Sequence, residues 1–236
     1  MTIAPEGWDL PGRAAAGKLG LFVTGTDTGI GKTVTSALLF AALNQAGIPA
    51  GYFKPVQTGS DSDSETVSRL CGAGPDEIAS PVYALSMPAS PDRAGVAAGV
   101  TIHFETIGAA WRDLPARHWV VEGAGGLLVP VEGLQTMRDL IGALDLPLLV
   151  VASTRLGTIN HTLLTLEAAR SRDLRIAGVV LSGPADPGLA ELLGRFDPAP
   201  VVAEIRPFET LSPTAIELAA PALFPAATLR RLFGES

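Results

Sequence analysis

The segment VTGTDTGIGKT, residues 23–33, places a lysine and a threonine directly after a cluster of glycines. Glycines such as Gly29 and Gly31 let the backbone curl tightly and approach a ligand closely. Lys32 can bring positive charge to a phosphate group, and the Thr33 hydroxyl can bind a metal ion. Apolar residues precede the segment and a helical pattern follows it, so its backbone N–H groups would face an anion at a helix N-terminus. We therefore predict a phosphate-binding loop.

This loop matches the general P-loop pattern, G-x-x-x-x-G-K-[ST], only in part. The last three residues of the pattern are present, but Thr26 stands at the position of the first glycine and Gly25 comes one residue too early. The strand before the loop and the helix after it favour phosphate binding over a solvated lysine in a glycine-rich turn. Partition and septum-site ATPases of this group carry a second lysine early in the loop. Asp27 occupies that position here, which excludes that subclass.

Three further segments place polar residues where a predicted strand ends or a helix begins. Lys54 directly follows a strand in KPVQTG, and Glu122 ends a buried strand before three glycines in four residues. The segment RLGTINH opens a helix with small and polar residues. Each segment has a plain structural alternative: a surface lysine, an acid that caps a glycine turn, and ordinary N-capping by Thr158.

The elements that would position these residues are apolar, strand-length runs that alternate with helical patterns. Near-continuous apolar strands are typical of a parallel sheet that is covered on both faces. We therefore predict a single α/β domain with a doubly wound, mostly parallel sheet over residues 19–236, and a flexible extension over residues 1–18. Strands are predicted over residues 19–23, 50–53, 118–122, 146–152, 176–183 and 200–205, and helices over residues 32–45, 64–70 and 104–114, after residue 157, and at the C-terminus to about Leu232.

Composition and charge narrow the class of protein. The chain has 236 residues, of which 47% are hydrophobic and 17% charged, enough apolar material for a well-packed core. The net charge of −7 argues against a nucleic-acid surface, and no apolar run approaches the roughly 20 residues that span a bilayer. Cys71 is the one cysteine, so no internal disulfide can form. This predicts a reducing compartment, and we expect a cytoplasmic protein.

Four segments, GTDTGIGKT, KPVQTG, VEGAGGLLVP and LGTINHTLLT, resemble in this order the motifs of the dethiobiotin synthetase family. The resemblance implies an enzyme of biotin biosynthesis with ATP as co-substrate and Mg²⁺ as cofactor. In that reaction an amine of 7,8-diaminononanoate takes up CO₂ as a carbamate. ATP phosphorylates the carbamate, and the second amine attacks it to close the ureido ring and release phosphate.

The resemblance also implies catalytic and metal-binding residues. Lys32 and Lys54 would flank the carbamate and the migrating phosphoryl group, where negative charge accumulates. Aligning the helix after KPVQTG puts Asp63 in the family's metal position, with Glu65 as the alternative. The implied Mg²⁺ ligands are Thr33, Asp63 and Glu122.

Two larger sets of residues are implied by the same resemblance, one for ATP and one for the diamine substrate. The ATP set is Gly29, Ile30, Gly31, Lys32, Thr33, Val34, Asp63, Glu122, Gly123, Ala124, Gly125, Ser182, Arg206, Pro207 and Phe208. The substrate set is Thr28, Thr58, Gly157, Thr158, Ile159 and Asn160. Residues 157–160 would reach in from the neighbouring subunit of a homodimer. An apolar stripe beside Asn160 would bury itself against its symmetry mate; the stripe is Ile159, Leu163 and Leu166.

The sequence departs from the family at Ser182, where an asparagine that hydrogen-bonds the adenine is common. A hydroxyl cannot make the same two-sided contact as an amide, so we expect relaxed nucleotide selectivity. Two alternatives remain: a related ATP-dependent ligase with a glutaminase domain, and a P-loop switch ATPase that acts through a protein partner. The motif of a hydrolase nucleophile, paired cysteines and a histidine cluster are all missing from the sequence.

Overall fold

The fold is described from a computed structural model for residues 18–234. Residues 1–17 of the expected extension lie outside these described residues. Seven strands form one parallel sheet in the order β11-β10-β9-β1-β6-β2-β4, β3 pairs with β5, and β7 pairs with β8. The strands are β1 (Leu19–Gly25), β2 (Ala50–Phe53), β3 (Val56–Thr58), β4 (Ile78–Ala79), β5 (Tyr83–Leu85), β6 (His118–Gly126), β7 (Pro130–Glu132), β8 (Gln135–Thr136), β9 (Leu148–Ser153), β10 (Ile176–Ser182) and β11 (Val201–Ile205).

Helices cover both faces of the large sheet, so the predicted doubly wound α/β fold is confirmed. Helices α1, α2, α8 and α9 pack on one face, and α4, α5, α6 and α7 pack on the other. They are α1 (Lys32–Gln45), α2 (Asp63–Cys71), α3 (Pro91–Ala98), α4 (Phe104–Asp113), α5 (Met137–Leu144), α6 (Thr158–Arg170), α7 (Leu189–Phe196), α8 (Pro213–Leu223) and α9 (Ala226–Phe233). Within residues 18–234, no helix is long and apolar enough to cross a membrane.

The central strands feed two separate cores because successive side chains point to opposite faces of a sheet. In β1, Leu21 and Val23 belong to the core under α1, whereas Phe22 belongs to the core under α4 and α6. The same alternation in β6 directs Val120 towards α1. Glu122, two residues further along β6, therefore also faces α1, at the carboxyl end of the sheet where ligands of such folds bind.

Several element predictions were wrong in detail. Strand β6 does not end at Glu122 but continues to Gly126. Its glycines allow close packing, because a Cβ on Gly123 would lie 2.8 Å from the Phe22 ring. The single C-terminal helix is two helices, since Pro225 follows α8 and starts α9. The proline- and serine-rich stretch before Pro91 holds β5 and leads into α3, which the sequence did not predict.

Leu166 of the apolar stripe of α6 packs inwards, contrary to the expectation that it lies in a twofold interface, whereas Ile159 and Leu163 stay partly exposed and their place in such an interface stays a prediction. Leu166 is 1% exposed, and Ile159 and Leu163 pack against the chain's own core. The apolar side chains of this region that do face solvent are Leu156 and Leu164.

Lys18, the last residue of the expected extension, is part of the folded domain. Its side chain is buried, and Nζ donates to the carbonyl oxygens of Trp111 (2.6 Å), Arg112 (2.8 Å) and Leu114 (3.1 Å). These carbonyl groups lie at the end of α4, and the carbonyl groups of a helix's last turn have no hydrogen-bond donors within the helix. Burial lowers the pKa of Lys18, and the nearby Asp113 opposes this shift.

Candidate active site

The glycine-rich loop leads into α1 with a backbone shape that only glycine adopts readily. Gly29 and Gly31 have φ values of 71° and 100°, and Gly31 is the N-cap of α1 without a side-chain capping bond. A Cβ on Gly31 would lie 2.6 Å from the Ser182 hydroxyl, so β10 approaches the loop closely. No side chain caps the first turn of α1, which leaves its N–H groups available to phosphate oxygens.

Lys32 folds back over this loop. Its Nζ donates to the Asp27 carbonyl oxygen at 2.9 Å, and 7% of the residue is exposed. Burial lowers the pKa of Lys32, the Glu122 carboxylate raises it, and the neighbouring Lys54 ammonium lowers it further. An anion bound at the loop would stabilise the charged form of Lys32.

Glu122 is the centre of a buried hydrogen-bond network and is 1% exposed. Its Oε2 accepts from the Ser36 hydroxyl at 2.8 Å and from the Tyr52 hydroxyl at 3.0 Å. Its Oε1 lies 3.0 Å from both Lys54 Nζ and Thr33 Oγ1. Thr33 and Ser36 are three residues apart on α1, so both hydroxyls face β6. The expected alternative of an acid that merely caps a glycine turn was therefore wrong.

Asp63, the first residue of α2, joins the same network. Its Oδ1 accepts from Thr33 Oγ1 at 2.9 Å, and its Oδ2 lies 2.5 Å from Lys54 Nζ. Ser62 caps α2 by accepting from the Glu65 N–H at 3.1 Å, and the Glu65 side chain is exposed. The structure thus brings Asp63, and not the alternative Glu65, to the other site residues.

Lys54 is a buried cation between two carboxylates, so the alternative of a surface lysine was wrong. It is 3% exposed, and Nζ also lies 3.4 Å from the Gly123 carbonyl oxygen. Burial alone would lower the pKa of Lys54, but the carboxylates of Glu122 and Asp63 outweigh it and raise the pKa above its ordinary value. Lys54 therefore carries a positive charge at neutral pH.

Thr33 Oγ1 lies from one oxygen of each acid at the distance that separates neighbouring magnesium ligands. Thr33 Oγ1 lies 2.9 Å from Asp63 Oδ1 and 3.0 Å from Glu122 Oε1. An octahedral Mg²⁺ with bonds of 2.0–2.1 Å holds adjacent oxygens about 2.9 Å apart. Between residues 18 and 234 no three His, Cys, Asp or Glu side chains form such a group, so a site of three protein ligands needs the hydroxyl. The residues present fit Mg²⁺, and the Lys54 ammonium contacts both acids.

Two cavities meet at the loop, and together they bring most of the predicted residues to one place. Thr28, Gly29, Gly31 and Val34 line both. The first, about 690 Å³, is also lined by Lys32, Thr33, Lys54, Gln57, Thr58, Asp61, Asp63, Pro88, Ala89, Ser90, Pro91, Glu122, Ala124, Gly125 and Val129. The second, about 510 Å³, is also lined by Thr26, Asp27, Ile30, Ser153, Arg155, Leu156, His161, Ser182, Gly183, Pro184, Ile205, Arg206, Pro207, Phe208 and Leu211.

The predicted residues at the start of α6 stand apart from both cavities. None of Gly157, Thr158, Ile159 and Asn160 is among the residues that line them. N-capping by Thr158 was wrong, because Gly157 is the N-cap, with φ 96° and no side-chain capping bond. The Thr158 hydroxyl is instead buried, 3.4 Å from the Thr162 hydroxyl. Asn160 is exposed.

Three residues of the network were missed from the sequence. Ser36 and Tyr52 hold the second oxygen of Glu122, and Gln57 bonds the loop that carries Asp63. Tyr52 lies two residues before Lys54, so the two side chains share one face of the chain, and this spacing could have indicated it. Ser36 stands one turn after Thr33, which is a similar signal.

Solved structures similar to this chain show the fold. The MinC:MinD cell division complex of Aquifex aeolicus matches with a TM-score of 0.56 and 14% identity, covering 92% of this chain and 97% of the other. A ParA family ATPase from Chlorobium tepidum matches with a TM-score of 0.52 and 15% identity, covering 93% and 94%. At this identity the likeness extends to the architecture alone.

Sequence comparisons give the family. A family model described as an AAA domain matches residues 19–215. The biotin biosynthesis bifunctional protein BioCD of Bordetella avium is 42% identical over 84% of this chain. The match spans less than half of that relative, 42% of its length. The ATP-dependent dethiobiotin synthetase BioD of Brucella ovis is 47% identical over 70% of this chain and 76% of the relative. The BioD of Anaeromyxobacter dehalogenans is 47% identical over 71% and 78%. The chain belongs to the ATP-dependent dethiobiotin synthetase family.

Proposed function

We propose that this chain closes the ureido ring of dethiobiotin from 7,8-diaminononanoate, CO₂ and ATP, with Mg²⁺. The observation that carries the proposal is Lys54, a buried ammonium 2.5 Å from Asp63 and 3.0 Å from Glu122 in the cavity that the phosphate loop also lines. The names of the relatives support an ATP-dependent ligase of biotin biosynthesis. A cytoplasmic location stays a prediction, as does the division into an N-terminal extension and one catalytic domain.

The proposed reaction has two bond exchanges after one amine of the substrate has taken up CO₂. A carbamate oxygen attacks the γ-phosphorus of ATP, the bond to the bridging oxygen breaks, and ADP leaves. The second amine then attacks the carbonyl carbon of the mixed anhydride. The carbon–oxygen bond breaks, phosphate leaves with the oxygen, and the ring closes with loss of the amine's proton.

The protein's part in this chemistry is positioning and charge neutralisation. The N–H groups at the start of α1 would hold the β- and γ-phosphates, and Lys32 would leave the Asp27 carbonyl to contact them. Lys54 would hold the carbamate in the first cavity, facing the γ-phosphate. Both ammonium groups stabilise the negative charge that gathers on the transferred phosphoryl group.

Thr33, Asp63 and Glu122 would hold Mg²⁺, which supplies neutralisation of charge on the β- and γ-phosphates. Glu122 can serve this role because Ser36 and Tyr52 fix its other oxygen. Lys54, which contacts both of these carboxylates, would also hold the carbamate.

The remaining nucleotide and substrate residues fall on opposite sides of the loop. The base would lie in the second cavity, against Ser182 and residues 206–208, and the diamine in the first, against Thr28 and Thr58. Residues 29–34 and 123–125 would surround the phosphates between them. Thr28 is shared by both cavities, so it would lie beside the phosphoryl group in transfer.

A requirement for the diamine separates this function from the alternative of a switch ATPase. The names of the relatives do not favour that alternative. Phosphate release is measured with MgATP and bicarbonate, with and without 7,8-diaminononanoate. We expect release only with the diamine, together with one cyclic urea per phosphate by mass spectrometry. Hydrolysis that proceeds unchanged without the diamine and responds to an added protein or polymer would contradict the proposal.

We propose a homodimer in which residues 157–160 of one subunit bind the substrate carboxylate in the other subunit's site. Support comes from the exposed Asn160, which lines neither cavity of its own chain, and from the exposed Leu156 and Leu164 beside it. Lys32→Ala and Asn160→Ala homodimers should each be nearly inactive.

Co-expression of these two variants tests the shared site. Random mixing makes half of the dimers mixed, and each mixed dimer has one site with both residues intact, so about a quarter of wild-type activity should return. Mixed dimers without any recovered activity would place Asn160 in its own subunit's site.

A further inference from the structure

Gln57 holds the loop that leads to Asp63. Gln57 lies in β3 and is 8% exposed. Its amide nitrogen donates to the carbonyl oxygens of Thr58 at 3.1 Å and Asp61 at 2.7 Å. Its Oε1 accepts from the backbone N–H of Asp63 at 3.3 Å. One side chain therefore connects the beginning, the middle and the end of the segment that carries this carboxylate.

The N–H of Asp63 needs such a partner because Asp63 begins α2, and the first N–H groups of a helix have none within it. Ser62 accepts from Glu65 and thereby satisfies another N–H of the same turn. Gln57 thus fixes the backbone position from which the Asp63 carboxylate reaches Thr33.

The same contacts argue against direct substrate binding by Gln57, although it lines the larger cavity. An amide nitrogen has two hydrogens, and both are directed at backbone carbonyls here. We infer that Gln57 is a positioning residue that sets the affinity of the Asp63 site for the divalent metal ion. The inference rests on the proposed function, in which Asp63 binds that ion.

The test compares Gln57→Met with Gln45→Met. Methionine nearly matches glutamine in length but offers no strong hydrogen bond. Gln45, which is exposed, controls for the substitution itself, because its amide also donates to a backbone carbonyl, that of Glu217 at 2.8 Å, at the far end of α1. Binding of Mn²⁺ in the presence of ADP is followed by electron paramagnetic resonance, which needs no turnover.

We expect Gln57→Met to weaken Mn²⁺ binding about tenfold or more, as loss of a group that orients a metal ligand typically does. The Mg²⁺ concentration for half-maximal rate should rise with it, while kcat at saturating Mg²⁺ stays within about threefold and the diamine KM is unchanged. Gln45→Met should bind Mn²⁺ like the wild type. Gln57→Leu, which loses the donors and the acceptor without adding a charge, should also weaken binding and serves if the methionine variant does not fold.

Two results would overturn the inference. Unchanged Mn²⁺ binding with a lower melting temperature would make Gln57 a structural residue only, and a raised diamine KM with unchanged Mn²⁺ binding would make it a substrate contact. Asp63→Asn separates these from failure of the metal site itself. If Asp63→Asn loses Mn²⁺ binding and Gln57→Met keeps it, only the role of Gln57 falls; if Asp63→Asn also keeps it, the proposed metal site falls.

Discussion

Replacing Lys54 with methionine tests whether one buried ammonium holds the two carboxylates of the site in place. The Nζ of Lys54 lies 2.5 Å from Asp63 Oδ2 and 3.0 Å from Glu122 Oε1. Methionine keeps the apolar stem but leaves both acids without their cation. Breaking a buried ion pair costs about 3–5 kcal/mol. We expect the low end, about 3 kcal/mol, because 29% of the Asp63 side chain is exposed and solvent screens that partner.

A loss of that size lowers the melting temperature of a domain of this length by about 6–12 °C. Differential scanning calorimetry in EDTA measures it. The double variant Lys54→Met/Glu122→Gln removes one of the unpaired charges, so it should recover at least half of the loss. Adding MgCl₂ should raise the melting temperature of Lys54→Met more than that of the wild type, because metal can take the ammonium's place. A Lys54→Met protein that melts within about 2 °C of the wild type in EDTA would refute the reasoning.

Three further predictions follow from single residues. GTP or CTP should support turnover within about tenfold of ATP, since the amide contact missing at Ser182 is worth roughly 1–2 kcal/mol; a thousandfold preference for ATP would show that other residues read the base. Burial raises the pKa of Cys71 to about 12, so iodoacetamide at pH 8 should alkylate the native thiol at least about 100-fold more slowly than in urea. Burial, then Glu122, raise the pKa of Tyr52 well above 10.0. Above that pH only the tyrosine of the unfolded chain ionises. As the pH rises further, the free energy of unfolding of the wild type should therefore fall more steeply than that of Tyr52→Phe, by about 1.4 kcal/mol per pH unit.

The sequence predicted the elements that carry the site because their signals are local. Helix α1 and strand β2 were predicted with their observed bounds, since glycines and apolar runs delimit them. The partner of Leu166 in α6 was mispredicted because the periodicity shows that a helix has a buried face but not what covers it. Leu166 packs against the chain's own core, which only the fold reveals.

The site residues divide in the same way, into those with a local sequence signal and those whose role depends on a distant contact. Lys54 and Glu122 were found because each was predicted to stand where a strand ends, and parallel sheets bind ligands at that edge, although β6 continues past Glu122 to Gly126. Tyr52 and Ser36 were missed because an aromatic residue in an apolar strand and a serine in a helix look like ordinary core and surface positions. Their hydroxyls matter through Glu122, which lies 70 and 86 positions away along the chain.

The central claim is that a carbamate oxygen attacks ATP, and oxygen transfer from bicarbonate tests it most directly. The protein is incubated with 7,8-diaminononanoate, MgATP and bicarbonate labelled with ¹³C and ¹⁸O, and the products are read by mass spectrometry at early times. The proposed mechanism predicts a cyclic urea that carries the ¹³C atom and a released phosphate that carries one ¹⁸O atom. Phosphate without ¹⁸O, or ATP consumed with no labelled cyclic urea, would contradict it.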